Sequence, residues 1–359
     1  MSFIVKMYNE KLISSSKNLI SSQNRQSNFE LLRIISQIYI VLYHIMLYFI
    51  YPASQDVFFK SIQLWLHIGV INFVLISGFF GIKPSIKGLV KLLSIFLVYS
   101  IPEIVYGISL AVSFKDMIKS LLVISHTHYW FIRTYLFLYL ISPILNLWIK
   151  KANIKQQIYL LLALLFICVY MGTSLGDNTL SDGKNVLNFS FIYLIGNMIK
   201  RKQNELKSIS LKYWIISYIL LNLFLICGYS LLSSSVVGIF IWQMSFPYCS
   251  PLLIVNSILF FMIFLHLKVN SGLINYLAKS SLAIYLIHES TPFVLEPIGH
   301  ISKSLYCFIN NSFFLLIVLI VFSVFIACAS IAIDKFLTPV WRFFSLLGER
   351  LSHCAEKQK

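Results

Sequence analysis

The stretch NFELLRIISQIYIVLYHIMLYF, residues 28–49, decides the fold. As a helix rising 1.5 Å per residue it is long enough to cross the ~30 Å apolar layer of a bilayer. In lipid every backbone N–H and C=O must be satisfied within the segment, so such a run folds as a helix. The same stretch carries Glu30, Arg33, Gln37 and His44. Ionisable groups at membrane depth are costly, so they face a cavity or a partner and are the first place to look for function.

Working outward, nine further apolar segments follow, near 62–82, 87–112, 129–149, 156–174, 186–199, 212–232, 249–268, 274–295 and 312–334. The sixth is short, and 233–248 has the character of a re-entrant stretch. The chain is 58% hydrophobic and only 12% charged, which rules out an ordinary soluble domain. The expectation is an all-α integral membrane protein with about ten transmembrane helices. A polar tail at 1–28 precedes the membrane domain at 29–334, and a basic tail at 335–359 follows it. Six cysteines lie far apart, without a CxxC pair or a histidine at ligand spacing, which argues against a zinc site or a disulfide framework.

The formal charge of +16 would suggest a nucleic-acid partner in a soluble protein. Here its distribution gives another reason for it. If the segments alternate and the N-terminus is cytosolic, 23 of the 29 Lys and Arg residues fall on the cytosolic side. The other side keeps Lys60, Lys115, Lys119, Lys184 and Lys303, with Arg133 near that boundary. Both termini are therefore expected in the cytosol, with the bilayer as partner and no role for nucleic acid.

On the first helix Arg33 and His44 are eleven residues apart, which returns to within about 20° of the same face and climbs roughly 16 Å. Gln37 and Tyr48 share that stripe. A cation at the mouth and an imidazole at depth suit a substrate with phosphates outside the bilayer and a reactive carbonyl within it. The plainer alternative has Arg33 reaching to lipid phosphate and His44 bonded inside the bundle. The segment SLAIYLIHES puts His288 at a depth matching His44, followed by Glu289. In WLHIGVINFVLISGFFGIK, Gly69, Ser77 and Gly78 permit close helix approach, Asn72 is an intramembrane polar group, and His67 reads as interfacial. Glu103 is a buried acid without an evident partner. Lys83, Lys87 and Lys91 recur every four residues and would align as a phosphate cradle or as ordinary positive-inside charge. Tyr129, Trp130, Phe131 and Arg133 open the fourth span, as sugar-stacking rings or as an aromatic belt.

In this order the motifs resemble the integral-membrane acyltransferase 3 family, bacterial enzymes that acylate cell-envelope glycans. The resemblance runs over roughly 29–334. It rests on R-x10-H from Arg33 to His44 with Glu30 three positions before, on Ser77-Gly78-Phe79, on Trp130-Phe131 and on Tyr285-x-x-His288. Where many members carry R-x-x-R after the second helix, this chain has the three lysines. The resemblance implies a multi-pass protein of the bacterial cell membrane with acyl-CoA, acetyl-CoA by family habit, as donor and a glycan hydroxyl as acceptor. It implies no metal and no cofactor beyond that donor. His44 and His288 would be catalytic and Arg33 with Lys83, Lys87 and Lys91 donor-binding. Glu30, Tyr285 and Glu289 would support them, and Trp130 and Arg133 would meet the acceptor. Whether His44 is a general base or carries the acyl group, which glycan is modified, and the oligomeric state stay open. A transporter or flippase for an acylated or anionic intermediate, with His44, His288 and Glu289 as a relay, is the competing class. A polymerase would be expected to show a larger external loop.

Overall fold

The computed structural model describes residues 25–54, 56–109, 115, 129–170, 182–290 and 293–357. Among them the chain is all-helical, without a strand. Six stretches are long and apolar enough to cross a membrane: Ser27–Ser54, Val57–Phe80, Ile86–Tyr106, Trp130–Lys151, Leu211–Leu232 and Ser312–Phe336. Of the other four expected segments, the sixth is short as the sequence indicates, the eighth is shorter than expected, the fifth leaves the described residues after Tyr170, and the ninth is interrupted. Ile154–Val169, Val186–Arg201 and Pro251–His266 have 16 residues each, about 24 Å of helix and short of a full apolar layer. The ninth breaks into Gly272–Leu277, a 3-10 turn Ala278–Ser280 and Ser281–His288. Irregular backbone at such depth is tolerated where protein rather than lipid surrounds it, and Ala278, Ser280 and Ser281 are buried. The stretch 233–248 contains a short helix, Val236–Gln243. Of the polar tail, residues 1–24 lie outside the described residues.

We label the helices used below α1 (Ser27–Ile45), α2 (Val57–Leu66), α3 (Ile68–Phe80), α4 (Ile86–Ser109), α5 (Trp130–Lys151), α6 (Val186–Arg201), α7 (Leu211–Leu232), α8 (Pro251–His266), α9 (Ser281–His288), α10 (Ser312–Phe336) and α11 (Thr338–Lys357). At the end carrying Arg25 and Arg33, Asn28 Nδ2 donates to the Phe264 carbonyl at 2.8 Å and Ser271 N–H donates to Ser27 Oγ at 3.0 Å. At the opposite end Ser312 Oγ donates to Asp56 at 3.3 Å. Between these ends the apolar helices are tied by polar pairs, which hold well where no water competes. Asn222 on α7 and Asn256 on α8 exchange two amide bonds of 2.9 Å, and Trp65 Nε1 donates to Tyr218 at 2.7 Å.

Among the described residues α3 and α6 cross with their backbones in contact. A Cβ on Gly78 would run into the Tyr193 backbone, and one on Gly196 into the Leu75 carbonyl. The backbones therefore touch, as small residues allow in membrane bundles. The Tyr193 hydroxyl locks the same crossing, accepting from Ile82 N–H at 3.0 Å and donating to Asn146 at 2.6 Å.

The basic tail becomes α11, which runs antiparallel along α4. Trp341 packs on Tyr99, while Gly348 lies against the Lys87 backbone and Glu349 pairs with Lys87 at 2.5 Å.

Introducing a side chain at the α3–α6 crossing forces the backbones apart, a strain of typically ~1–3 kcal/mol or more. Gly78→Val is expected to lower the unfolding temperature in detergent by several degrees. Gly272→Ala, whose Cβ meets open space, should leave it unchanged. Equal stability of the two variants would contradict the crossing.

Candidate active site

The first helix does not run through unbroken. After His44 it opens into a π-helical turn, Met46–Ile50, before Tyr51–Ser54. Pro52 has no N–H to give the carbonyl four residues earlier, and a wider turn relieves the clash of its ring with that carbonyl. Such π-turns recur at functional sites. His44 sits just before it, with its side chain 13% exposed and its ring stacked 5.3 Å from Tyr48.

The broken ninth segment delivers the partners. His288 ends α9, and its ring lies stacked 5.2 Å from that of His44. His288 Nδ1 is 2.6 Å from the Ile284 carbonyl. A carbonyl only accepts, so Nδ1 of His288 carries the hydrogen, and in the neutral ring Nε2 is left as an acceptor. That acceptor lies 2.9 Å from His44 Nδ1, which also contacts Oε1 of Glu289. His44 Nδ1–H is thus the donor to His288, and the Glu289 carboxylate lies against the same nitrogen. The remaining nitrogen, Nε2, carries the lone pair. Glu289 is 3.6 Å from His288 Nε2 and nearly fully buried, as is His288. A carboxylate there stabilises an imidazolium that forms when His44 takes a proton, the geometry of a base with its orienting group.

One cavity reaches this cluster at His44, and a second lies at the Arg33 end of α1. The inner one, about 410 Å³, is lined by Arg25, Arg33, Gln37, Ser77, Lys91 and Lys279 together with Phe73, Phe131 and Tyr135. Glu30 is buried between Arg25 at 3.3 Å and Arg33 at 3.7 Å, and so fixes both guanidinium groups at the rim. Ser77 Oγ lies 3.2 Å from the Tyr135 hydroxyl. The outer cavity, about 70 Å³, is lined by His44 and Tyr48 and by the rings of Tyr43, His67, Trp130 and Tyr248, with Asp182 and Lys184 at its edge. The stripe expected on α1 is therefore divided: Arg33 and Gln37 face one cavity, His44 and Tyr48 the other. Tyr285 lies edge-on to Phe131 of the inner cavity at 5.6 Å and to His288 at 6.1 Å.

The remaining expected residues fall in various places. Trp130 lines the outer cavity, whereas Arg133, one turn further along α5, lines neither. Of the three lysines only Lys91 reaches the inner cavity; Lys87 is paired with Glu349 and Lys83 is exposed ahead of α4. Lysines four apart do share a helix face, but Lys83 precedes the helix and α11 takes Lys87. Tyr129 is not an outer ring but core, and its hydroxyl donates to Glu103 at 2.8 Å, which supplies the partner that acid lacked in the sequence.

Sequence reasoning missed Arg25 and Lys279, which sit on separate segments, and underrated His67. His67 marks the break between α2 and α3, is 5% exposed, and stacks on Tyr43 at 4.7 Å with rings 8° from parallel. A histidine between two apolar helical runs was the available signal.

His44 Nδ1, His288 Nε2 and Glu289 Oε1 also form, among the described residues, a group whose ligand atoms fall within 4.8 Å of one another. Two imidazoles and a carboxylate suit a divalent zinc-type ion. The separation of His44 and His288 is that of a hydrogen bond, so a shared proton and a metal ion are competing occupants of one space.

Residues 26–333 match the family model of an acyltransferase domain. No curated protein and no solved structure matches the chain.

The proton-sharing geometry predicts that protein purified without added metal contains far less than one zinc, manganese or iron per chain by plasma mass spectrometry. One ion per chain, lost on His288→Ala, would replace the hydrogen-bonded relay with a metal centre.

Proposed function

We propose that this chain, which belongs to the acyltransferase 3 family, is a membrane O-acyltransferase. In this reading it moves an acyl group, acetyl foremost, from acyl-CoA on the cytosolic side to a hydroxyl of a cell-surface or lipid-linked glycan. The observation that carries it is His44: its Nδ1–H is held by His288 with the Glu289 carboxylate against the same nitrogen, it lines an aromatic cavity, and Gln37 and Arg33 further along the same helix line a basic one. A transport relay needs titratable groups, but it has no need of an imidazole whose tautomer is fixed with the basic nitrogen left for an incoming hydroxyl.

The chemistry follows from that tautomer. The acceptor oxygen attacks the thioester carbonyl carbon while His44 Nε2 takes the hydroxyl proton. Glu289 stabilises the imidazolium, and the tetrahedral oxyanion collapses by expelling the thiolate. The thiolate recovers the proton from His44, which returns to its starting state. His288 holds the ring orientation through the Ile284 carbonyl. Direct attack needs no acylated histidine, and the stacking of His44 between Tyr48 and His288 favours a base over a covalent carrier.

On the donor side Arg25, Arg33, Lys91 and Lys279 supply charge for phosphate. Arginine presents a planar fork and lysine only a point charge. On the acceptor side the rings of Tyr43, Tyr48, Trp130 and Tyr248 offer the apolar faces against which sugars stack. The direction of the donor comes from the excess of Lys and Arg at the Arg33 end. The setting that fits these features is a bacterial cell membrane.

Deleting this protein should reduce the O-acetyl signals of surface glycans in NMR spectra, and re-expression should restore them. In purified protein His44→Ala is expected to lower acyl transfer by ~10²–10⁴-fold, the usual range for a general base. Glu289→Gln, which keeps the shape and removes the charge, should fall in the same direction by less, with both variants reaching the membrane in normal amounts. Wild-type turnover in His44→Ala would sink the assignment. Arg33→Lys should raise the acyl-CoA concentration at half-maximal rate by ~10–100-fold while the saturated rate changes little, as expected for loss of a charge-assisted bond.

A further inference from the structure

Beside the inner cavity lies a second cleft of about 550 Å³, open at the same basic end. Its walls come from α4, α10, the broken ninth segment and α11. Four cations face it, Lys91, Lys279, Lys335 and Arg342, with the rings of Tyr276 and Trp341. Lys91 and Lys279 line the inner cavity as well, so the two spaces meet at that pair. The wall supplied by α11 lies beyond residue 333, where the family match ends.

Asp334 is the acid of this cleft, and its oxygens are already engaged. It accepts from Tyr99 at 2.8 Å, Ser280 at 2.6 Å and Trp341 Nε1 at 3.1 Å. These bonds fasten α11 and α4 to the ninth segment. Lys335 is partly committed too, donating to the Tyr276 carbonyl at 2.9 Å and lying 4.1 Å from the centre of that ring. Lys91, Lys279 and Arg342 make no ion pair among the described residues, so three cations remain for a ligand. A space of this size lined by unpaired cations and two rings suits a phosphorylated nucleoside: the phosphates take the cations and the base lies against the indole or phenol.

We infer that this cleft binds the phosphorylated adenosine end of the donor. Lys91 and Lys279 then hold the diphosphate at the junction, and the acyl-bearing arm passes through the Arg33 cavity toward His44. The inference rests on acyl-CoA being the donor. It adds a second subsite, built by the C-terminal helix, that recognises the part of the donor remote from the chemistry. Such a subsite separates coenzyme A thioesters from thioesters lacking the nucleotide, since a ligand without it leaves three cations unanswered.

The test uses full-length protein in nanodiscs of neutral phosphatidylcholine and adenosine 3′,5′-bisphosphate as the probe, by calorimetry. Saturable binding is expected, weakened at least tenfold in Arg342→Ala and further in Arg342→Glu, and unaffected in Arg350→Ala, a neighbouring cation outside the cleft. In transfer assays Arg342→Ala should raise the half-saturating acyl-CoA concentration while leaving the half-saturating concentration of acyl-pantetheine unchanged. If acyl-CoA is consumed normally but its half-saturating concentration does not move in Arg342→Ala, the adenosine assignment is wrong and the donor reading stands. If no acyl-CoA is consumed by wild-type protein, the donor reading itself fails. Retention of phosphatidylglycerol that depends on Arg342, with no binding of the bisphosphate, would make the cleft a lipid headgroup site and overturn the proposal. The Arg342→Lys variant guards against a folding defect: it should recover part of the bisphosphate affinity, whereas a misfolded chain would recover none.

Discussion

Everything else in this protein is arranged around one hydrogen, the one on His44 Nδ1. It is given to Nε2 of the nearly fully buried His288, and the carboxylate of Glu289 lies against the nitrogen that carries it. In a low-dielectric bundle a polar group without a partner costs far more than at a surface, so the three groups hold one another in place. The direction of sharing is not free. The Ile284 carbonyl accepts from His288 Nδ1, which makes His288 Nε2 the acceptor toward His44 and leaves His44 with its basic nitrogen available. A backbone oxygen in α9 thereby determines which nitrogen of a residue on α1 can act as a base.

That arrangement needs a helix that ends in the interior. The ninth segment is interrupted by the 3-10 turn before α9, and α9 ends at His288, where Glu289 caps it in contact with His44. Two other interruptions gather at the same level: the π-turn after His44 and the kink at His67 between α2 and α3. Irregular backbone is costly in a membrane, and here it lines cavities, where surrounding protein can satisfy it.

Rigid elements around these breaks keep them in register. The backbone contact of Gly78 and Gly196 fixes α3 to α6, and the double Asn222–Asn256 bond fixes α7 to α8. Glu30, buried between Arg25 and Arg33, does the same at the basic rim. Its position one helical turn before Arg33 makes a charge pair local to α1, while Arg25 joins from the segment before the helix.

Much of this was legible in the sequence. Uninterrupted apolar runs determine helices because lipid offers the backbone no other partner. The eleven-residue spacing of Arg33 and His44 puts both near one face of α1 because 3.6 residues make a turn, although they line different cavities, and the match to the acyltransferase domain covers the region those motifs span. The separation of Ser77-Gly78 from Gly196 along the chain concealed their contact, although small residues announced that one was coming. Tertiary structure alone decided that His44 touches His288 and Glu289, that Glu103 is answered by Tyr129, and that Lys87 goes to Glu349 while Lys91 faces a cavity. Periodicity fixes the direction in which a side chain leaves its own helix. Which partner it meets depends on where other helices stop and cross, and those contacts join residues from 26 positions apart, as for Glu103 and Tyr129, to 262 apart, as for Lys87 and Glu349.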